Sequence, residues 1–141
     1  MAEYTAIALQ TVSAGGNVLF TKTPICCNKG NIVHRDGSGV FRLCGNTNQC
    51  RALYKVSFGA NIAIPTGGTV EAISIGIALE GEPQGSATAI VTPAALEEFG
   101  NVYASILIPV PFNCCTTVTV ENTSDQGINI QNANLIIERI A

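Results

Sequence analysis

Tryptophan is absent, and histidine and methionine occur once each. Aromatic residues make up 6% of the chain, which leaves few rings for stacking on sugars. Charge is scarce as well: 12% of residues are charged, against about 25% in an average chain. The seven Lys and Arg residues are scattered and the formal net charge is −3, so the clustered basic footprint of a nucleic-acid binder is missing. No apolar run approaches the ~18 residues of a membrane-spanning helix. The opening MAEYTAIALQ carries Glu3, no basic segment and no long apolar run, so it does not read as a secretory signal, and synthesis in the cytosol is expected. The cysteine spacings, CC and C-x5-C, lack the C-x2-C knuckle of zinc ribbons; neither a metal nor another cofactor is expected.

What is present is apolar mass: 47% of 141 residues. A chain of this size buries roughly 70% of its unfolded surface. Much apolar and little charged residue leaves two readings of the surface. Either Thr, Asn and Ser supply neutral polarity, or another subunit covers part of it. The chain punctuates as β throughout, with Gly, Pro or Asn at roughly eight- to twelve-residue intervals between runs rich in Val, Ile and Thr. The expected strands are 4–10, 17–21, 31–34, 39–43, 53–64, 69–79, 86–92, 102–110, 116–122 and 128–139, the last with a break. Residues 1–141 read as one domain, with 1–12 as an N-terminal strand or arm. PAALEEFG at 93–100 reads as one or two helical turns, with Pro93 in the first turn and Gly100 as the C-cap.

In AISIGIAL, Ile73, Ile75, Ile77 and Leu79 face one way and Ala72, Ser74, Gly76 and Ala78 the other. The small residues permit close approach, by a neighbouring subunit or within the monomer. In VYASILIPV both faces are fairly apolar, and such a strand must be covered on both. Asn132 and Asn134 fit a bulge, a polar layer between subunits, or most simply a loop before a short final strand LIIERIA.

Six cysteines, Cys26, Cys27, Cys44, Cys50, Cys114 and Cys115, fall in or beside expected loops. Adjacent cysteines rarely bond to each other, so each vicinal pair reaches to separate partners, and one staple region at one end of the molecule is expected, with some bonds running between chains. A metal site and six reduced thiols are the alternatives. Disulfides in a protein made in the cytosol form after release, which suits a particle component assembled in a cell and later exposed.

Catalytic chemistry is thin. His34, Asp36 and Ser38 share one five-residue loop, whereas catalytic triads converge from separated segments; they read as a polar turn. Glu97 and Glu98 read as solvated, and Glu80 and Glu82 as flanking a turn rather than binding calcium. Asn122-Thr123-Ser124 matches a glycosylation sequon, and reads instead as a turn in which Asn and Ser bond their own backbone.

The segments NIVHRDGSGVFRLCG, YKVSFGANIAIPTGGTVEAISIGIALEGEP, SATAIVTPA, FGNVYASILIPV, CCTTVTVENTS and NANLIIERIA together resemble the tumour-necrosis-factor/complement-like jelly-roll family, in particular small phage virion proteins (capsid decoration or head-fibre) and exosporium-type surface proteins of Firmicutes. The resemblance implies an all-β jelly-roll sandwich of about ten strands and a homotrimer about a threefold axis, with the final strand central in the inner sheet. Tyr54, Phe58, Tyr103, Leu135, Ile136 and Ile137 are then candidates for core or axis packing. The implied role is non-enzymatic: a structural protein decorating or cementing a capsid, located on the virion surface, with itself and the particle surface as partners and neither nucleic acid nor membrane. A spore-coat or cell-surface module of the same fold, and a lectin-like ligand-binding domain, are the alternatives. The missing G-x-y repeat weakens the exosporium variant.

Overall fold

The computed structural model describes residues 1–25 and 31–141. Among the described residues eleven strands alternate with short connections: β1 Ala2–Ala6, β2 Gln10–Val12, β3 Lys22–Ile25, β4 Ile32–Val33, β5 Phe41–Cys44, β6 Arg51–Ala63, β7 Ile73–Leu79, β8 Glu82–Val91, β9 Gly100–Pro111, β10 Cys115–Asn122 and β11 Ile128–Arg139. They build two antiparallel sheets. One has the order β3-β1-β11-β6-β9, with β2 also paired to β11; the other has β4-β5-β10-β7-β8. The final strand is therefore interior to the larger sheet. The architecture is the expected all-β sandwich.

Period-two alternation puts the core between the sheets. From β6, Tyr54, Val56, Phe58 and Ile62 point inward; from β7 come Ile73, Ile75 and Ile77; from β10 come Val118 and Val120. Phe41 meets the rings of Tyr4 and Phe20 edge-on at 4.7 and 5.4 Å, and Phe20 meets Phe58 at 6.5 Å, the geometry that ring quadrupoles favour. Each such fully buried side chain contributes roughly 1.5–3 kcal/mol.

A bulge in β11 decides which side of its second half faces the core. Ile128 and Ile130 are buried, and after the register shift between Gln131 and Asn134 so are Ala133, Leu135 and Ile137. One extra residue changes the parity of everything beyond it. Asn132 takes it up in a left-handed conformation (φ 56°), which asparagine tolerates better than most residues, and its N–H donates to the Ile7 carbonyl at 3.2 Å. The strand is continuous across 128–139, so the simpler expectation of a loop before a short final strand is corrected, and the bulge stands.

Several other expectations are corrected. Residues 93–100 are not helical: Glu97 sits at φ 60° and its N–H bonds to the Ile64 carbonyl, tying the segment across the end of the sandwich. The expected strand 17–21 makes only isolated bridges, Asn17 to Glu121 and Phe20 to Ser38. Of the two readings of residues 1–12, strand or arm, the strand is the one seen: β1 and β2 both pair with β11. Strands β3 and β8 contain Pro24 and Pro83, and both lie at sheet edges, where a missing N–H is tolerated.

Asn122, fully buried, organises the loops at one end. Its amide donates to the carbonyls of Val12 (3.0 Å), Ser13 (3.2 Å) and Gln126 (2.9 Å), and its side-chain oxygen accepts the Ser124 N–H at 2.9 Å. The expected turn at Asn122-Thr123-Ser124 is present for Asn122, whereas the Ser124 hydroxyl bonds the Ser74 backbone of β7 instead of its own.

Candidate functional site

The outer face of the larger sheet is the candidate site. Alternation that sends Ala104 and Ile108 of β9 inward sends Tyr103, Ser105 and Leu107 outward. Tyr103 is 64% exposed and Leu107 55%. On β6 the outward positions beside them are Lys55, Ser57 and Gly59, and on β11 they are Asn134, Ile136 and Glu138. The six residues expected in core or axis packing separate along this division. Tyr54, Phe58, Leu135 and Ile137 are core. Tyr103 and Ile136 lie on the outer face. Sequence reasoning could not divide the consecutive Leu135, Ile136 and Ile137 without the bulge that sets their parity.

Several polar groups of this face bond one another within the sheet. The Asn134 amide donates to the Glu3 carboxylate at 2.7 Å, the Ser57 and Ser105 hydroxyls lie 3.3 Å apart, and the Asn101 amide donates to Asn61 Oδ1 at 3.0 Å. Covering the face leaves those donors partnered, which lowers the cost of burying them. Gly59 lies opposite Tyr103 in the ladder, and a Cβ there would meet only ordinary contacts, the nearest being Val102 O at 3.8 Å and the Tyr103 ring at 4.0 Å. The Ser57 and Ser105 hydroxyls, hydrogen-bonding the Tyr103 phenol, draw its pKa below the ordinary tyrosine value, and Lys55 acts in the same direction. Tyr54 and Tyr4 behave oppositely: burial raises both, and the Asp36 carboxylate raises Tyr4 further.

The face of β7 that carries Gly76 is filled within the monomer. A Cβ on Gly76 would lie 2.6 Å from Thr88 Oγ1 and 3.1 Å from its Cα, so the glycine admits β8 rather than another subunit. Glu80 (φ 52°) and Gly81 (φ 81°) form the tight β7–β8 turn, and the Glu80 carboxylate accepts the Thr117 N–H at 2.9 Å; the turn reading holds for this segment.

Cys44 and Cys115, directly opposed between β5 and β10, form a disulfide. Cys50 and Cys114 lie at the same end as exposed thiols, unbonded within the single chain. Cys26 and Cys27 fall outside the described residues. Backbone hydrogen bonds lace the loops that carry the other four: Phe112 to Cys50, Gly45 to Cys114 and Asn113 to Gly45. Tyr54 Oη donates to the Cys44 carbonyl at 2.7 Å.

The side chains of His34, Asp36 and Ser38 do not bond one another. His34 Nε2 lies 2.9 Å from the Ser38 carbonyl, which can only accept, so that nitrogen carries the proton. The ring stacks on Phe41 at 4.2 Å. Asp36 accepts from Thr23, and Ser38 Oγ accepts from the Val40 N–H. Glu97 and Glu98 are exposed, with Glu97 accepting from Thr66 Oγ1 at 2.6 Å. Among the described residues, no group of three or more His, Cys, Asp or Glu side chains is placed to hold a metal, and no helix is long and apolar enough to cross a membrane.

No protein-family model matches the chain, and no curated protein sequence matches it. Solved structures do. The globular domain of the zebrafish complement 1qA protein superposes at a TM-score of 0.55 with 11% identity, over 96% of this chain and 94% of that one. Murine APRIL at pH 5.0 superposes at 0.58 with 9% identity, over 95% and 97% of the two chains. Murine APRIL at pH 8.5 gives 0.51 and 8%, over 92% and 96%. At such identities the likeness concerns the fold: this chain is a jelly-roll sandwich of the complement/tumour-necrosis-factor type.

Proposed function

We propose that the chain is a non-enzymatic structural module that assembles as a homotrimer through the outer face of its larger sheet, and that the trimer decorates or cements a particle surface, a phage capsid in the first instance. The observation that carries the reading is that face. It presents Tyr103, Leu107 and Ile136 beside Ser57, Ser105, Asn134 and Glu3, whose polar groups are already partnered in the sheet. The scarcity of charge along the chain fits a protein whose surface is partly covered, and the fold is one in which the final strand lies inside that sheet. The Cys44–Cys115 disulfide fits a product made in the cytosol and later exposed outside it, at the virion surface. The spore or cell surface is the alternative location.

Two measurements test the two halves separately. Light scattering on a sizing column should give three times 14.7 kDa; a single-chain mass removes the trimer. Co-sedimentation with purified capsids should be saturable and survive moderate salt. Absence of co-sedimentation at every salt tested removes the capsid role and leaves the fold and the trimer standing.

A further inference from the structure

We infer that Cys50 and Cys114 are a dithiol pair that closes into a second disulfide within one chain, stapling the two sheets together at one end of the sandwich. The inference is independent of the trimer and of the particle. The β5–β6 loop, which carries Cys50, and the β9–β10 turn, which carries Cys114, are laced together by their backbones. Phe112 N–H donates to the Cys50 carbonyl at 3.0 Å, Gly45 N–H to the Cys114 carbonyl at 2.7 Å and Asn113 N–H to the Gly45 carbonyl at 3.1 Å, while Cys114 N–H closes the turn onto the Pro111 carbonyl at 3.1 Å. Gly45 fits so closely that a Cβ there would collide with the Pro111 carbonyl oxygen. The two segments are thus held against each other before any sulfur bond forms, and groups held in this way react as neighbours.

Side-chain parity sends both thiols to the same gap. On β6 the buried residues are Ala52, Tyr54, Val56 and Phe58, so its even positions point between the sheets. The Phe112-to-Cys50 bond carries the β6–β9 ladder one step past Arg51 and Pro111, and Cys50 continues the inward series. On β10 Val118 and Val120 are buried. The Gly45-to-Cys114 bond carries the β5–β10 ladder one step past Cys44 and Cys115, and Cys114 continues that inward series. One thiol therefore comes from the larger sheet and one from the smaller. Both are exposed, where side chains change rotamer freely and can take up the Cβ separation of ~3.8 Å of a disulfide. Cys44 and Cys115 have the opposite parity and join neighbouring strands of the smaller sheet. The vicinal pair is explained by this division: adjacent residues of an extended chain face opposite ways, so Cys115 serves its own sheet and Cys114 the other.

Closure takes an oxidant, and a small disulfide such as oxidised glutathione supplies it. The thiolate of one cysteine attacks a glutathione sulfur, forming a mixed disulfide and releasing one glutathione thiolate. The thiolate of the second cysteine attacks the protein sulfur of that mixed disulfide and releases the second glutathione. The two thiol protons end on the two reduced glutathiones. In a reducing compartment the pair stays open, so the staple is set only when the chain meets an oxidising medium.

The test uses the full chain with Cys26→Ser and Cys27→Ser, which leaves Cys44, Cys50, Cys114 and Cys115. The chain is reduced, exposed to oxidised glutathione, alkylated and weighed by mass spectrometry. Electron-transfer fragmentation, which breaks the backbone between Cys114 and Cys115, reads the pairing. A single-chain mass with no alkylated thiol, paired Cys44–Cys115 and Cys50–Cys114, is expected. Cys50 and Cys114 left alkylated or capped by glutathione overturn the inference, as do chains linked to one another and any other pairing. Under the same oxidant this chain should also unfold at a higher denaturant concentration than its Cys50→Ser and Cys114→Ser variants, because a cross-link restricts the unfolded chain. Equal midpoints overturn the stapling of the sheets.

Discussion

The two faces of the larger sheet come from the same strands and teach different things. Inward, β6 presents Tyr54, Val56, Phe58 and Ile62, all essentially without solvent exposure. Outward, the same strand presents Lys55, Ser57, Gly59 and Asn61, and β9 adds Tyr103 and Leu107. The inner face holds the monomer together by volume. The outer face contributes little to the monomer, and its apolar residues stand apart among polar groups, several of them bonded to one another. Under the proposed self-association, stability and association sit on alternate residues and should respond separately to mutation.

The largest separation is expected at Phe58. Phe58→Ala should destabilise the fold by about 3–5 kcal/mol, read as a drop in the denaturation midpoint. Asn122→Ala should follow at about 1–3 kcal/mol or more, because several backbone groups lose their partner in a buried place; chemical denaturation with an unchanged slope is the check. The glycines sharpen the contrast. Gly76→Ala must push against Thr88 and should cost about 1–3 kcal/mol, whereas Gly59→Ala, with open contacts on the outer face, should be neutral or stabilising by about 0.5 kcal/mol. Equal losses at the two positions would blur the division between the faces.

Alkaline titration separates the same faces by charge. Tyr4 and Tyr54 have folded pKa values above the unfolded one, so the stability they contribute is fully present below about pH 10 and is lost as pH rises through their folded values. Tyr103, lowered, should ionise first and without unfolding. Absorbance of phenolate followed alongside circular dichroism should show one tyrosine titrating before the structure is lost. The smallest effect on the monomer is expected from Tyr103→Ala, within about 0.5 kcal/mol for a surface change, though the same variant disrupts association.

Much of this division was legible in the sequence, and the illegible parts have physical causes. β6, β7, β9 and β10 were read to within a few residues because their alternation is long and regular, while 128–139 was read with its limits but with a break, because the bulge at Asn132 interrupts its alternation. Edge strands β3 and β8 were missed or shortened because Pro24, Pro83 and Gly85 read as breaks, and a sheet edge tolerates them. The 93–100 segment has helix-forming residues, yet tertiary bonds from Ile64 and Thr66 hold Glu97 in a left-handed turn. Of the site, Tyr103 was named but not assigned to a face.

The central claim is that the outer face is an interface between copies. Light scattering on a sizing column, with and without reductant, for wild type and Tyr103→Ala, tests it most directly. The account predicts about three times 14.7 kDa for wild type in both conditions and dissociation towards a single folded chain for the variant. A wild-type mass of one chain in both conditions would contradict it.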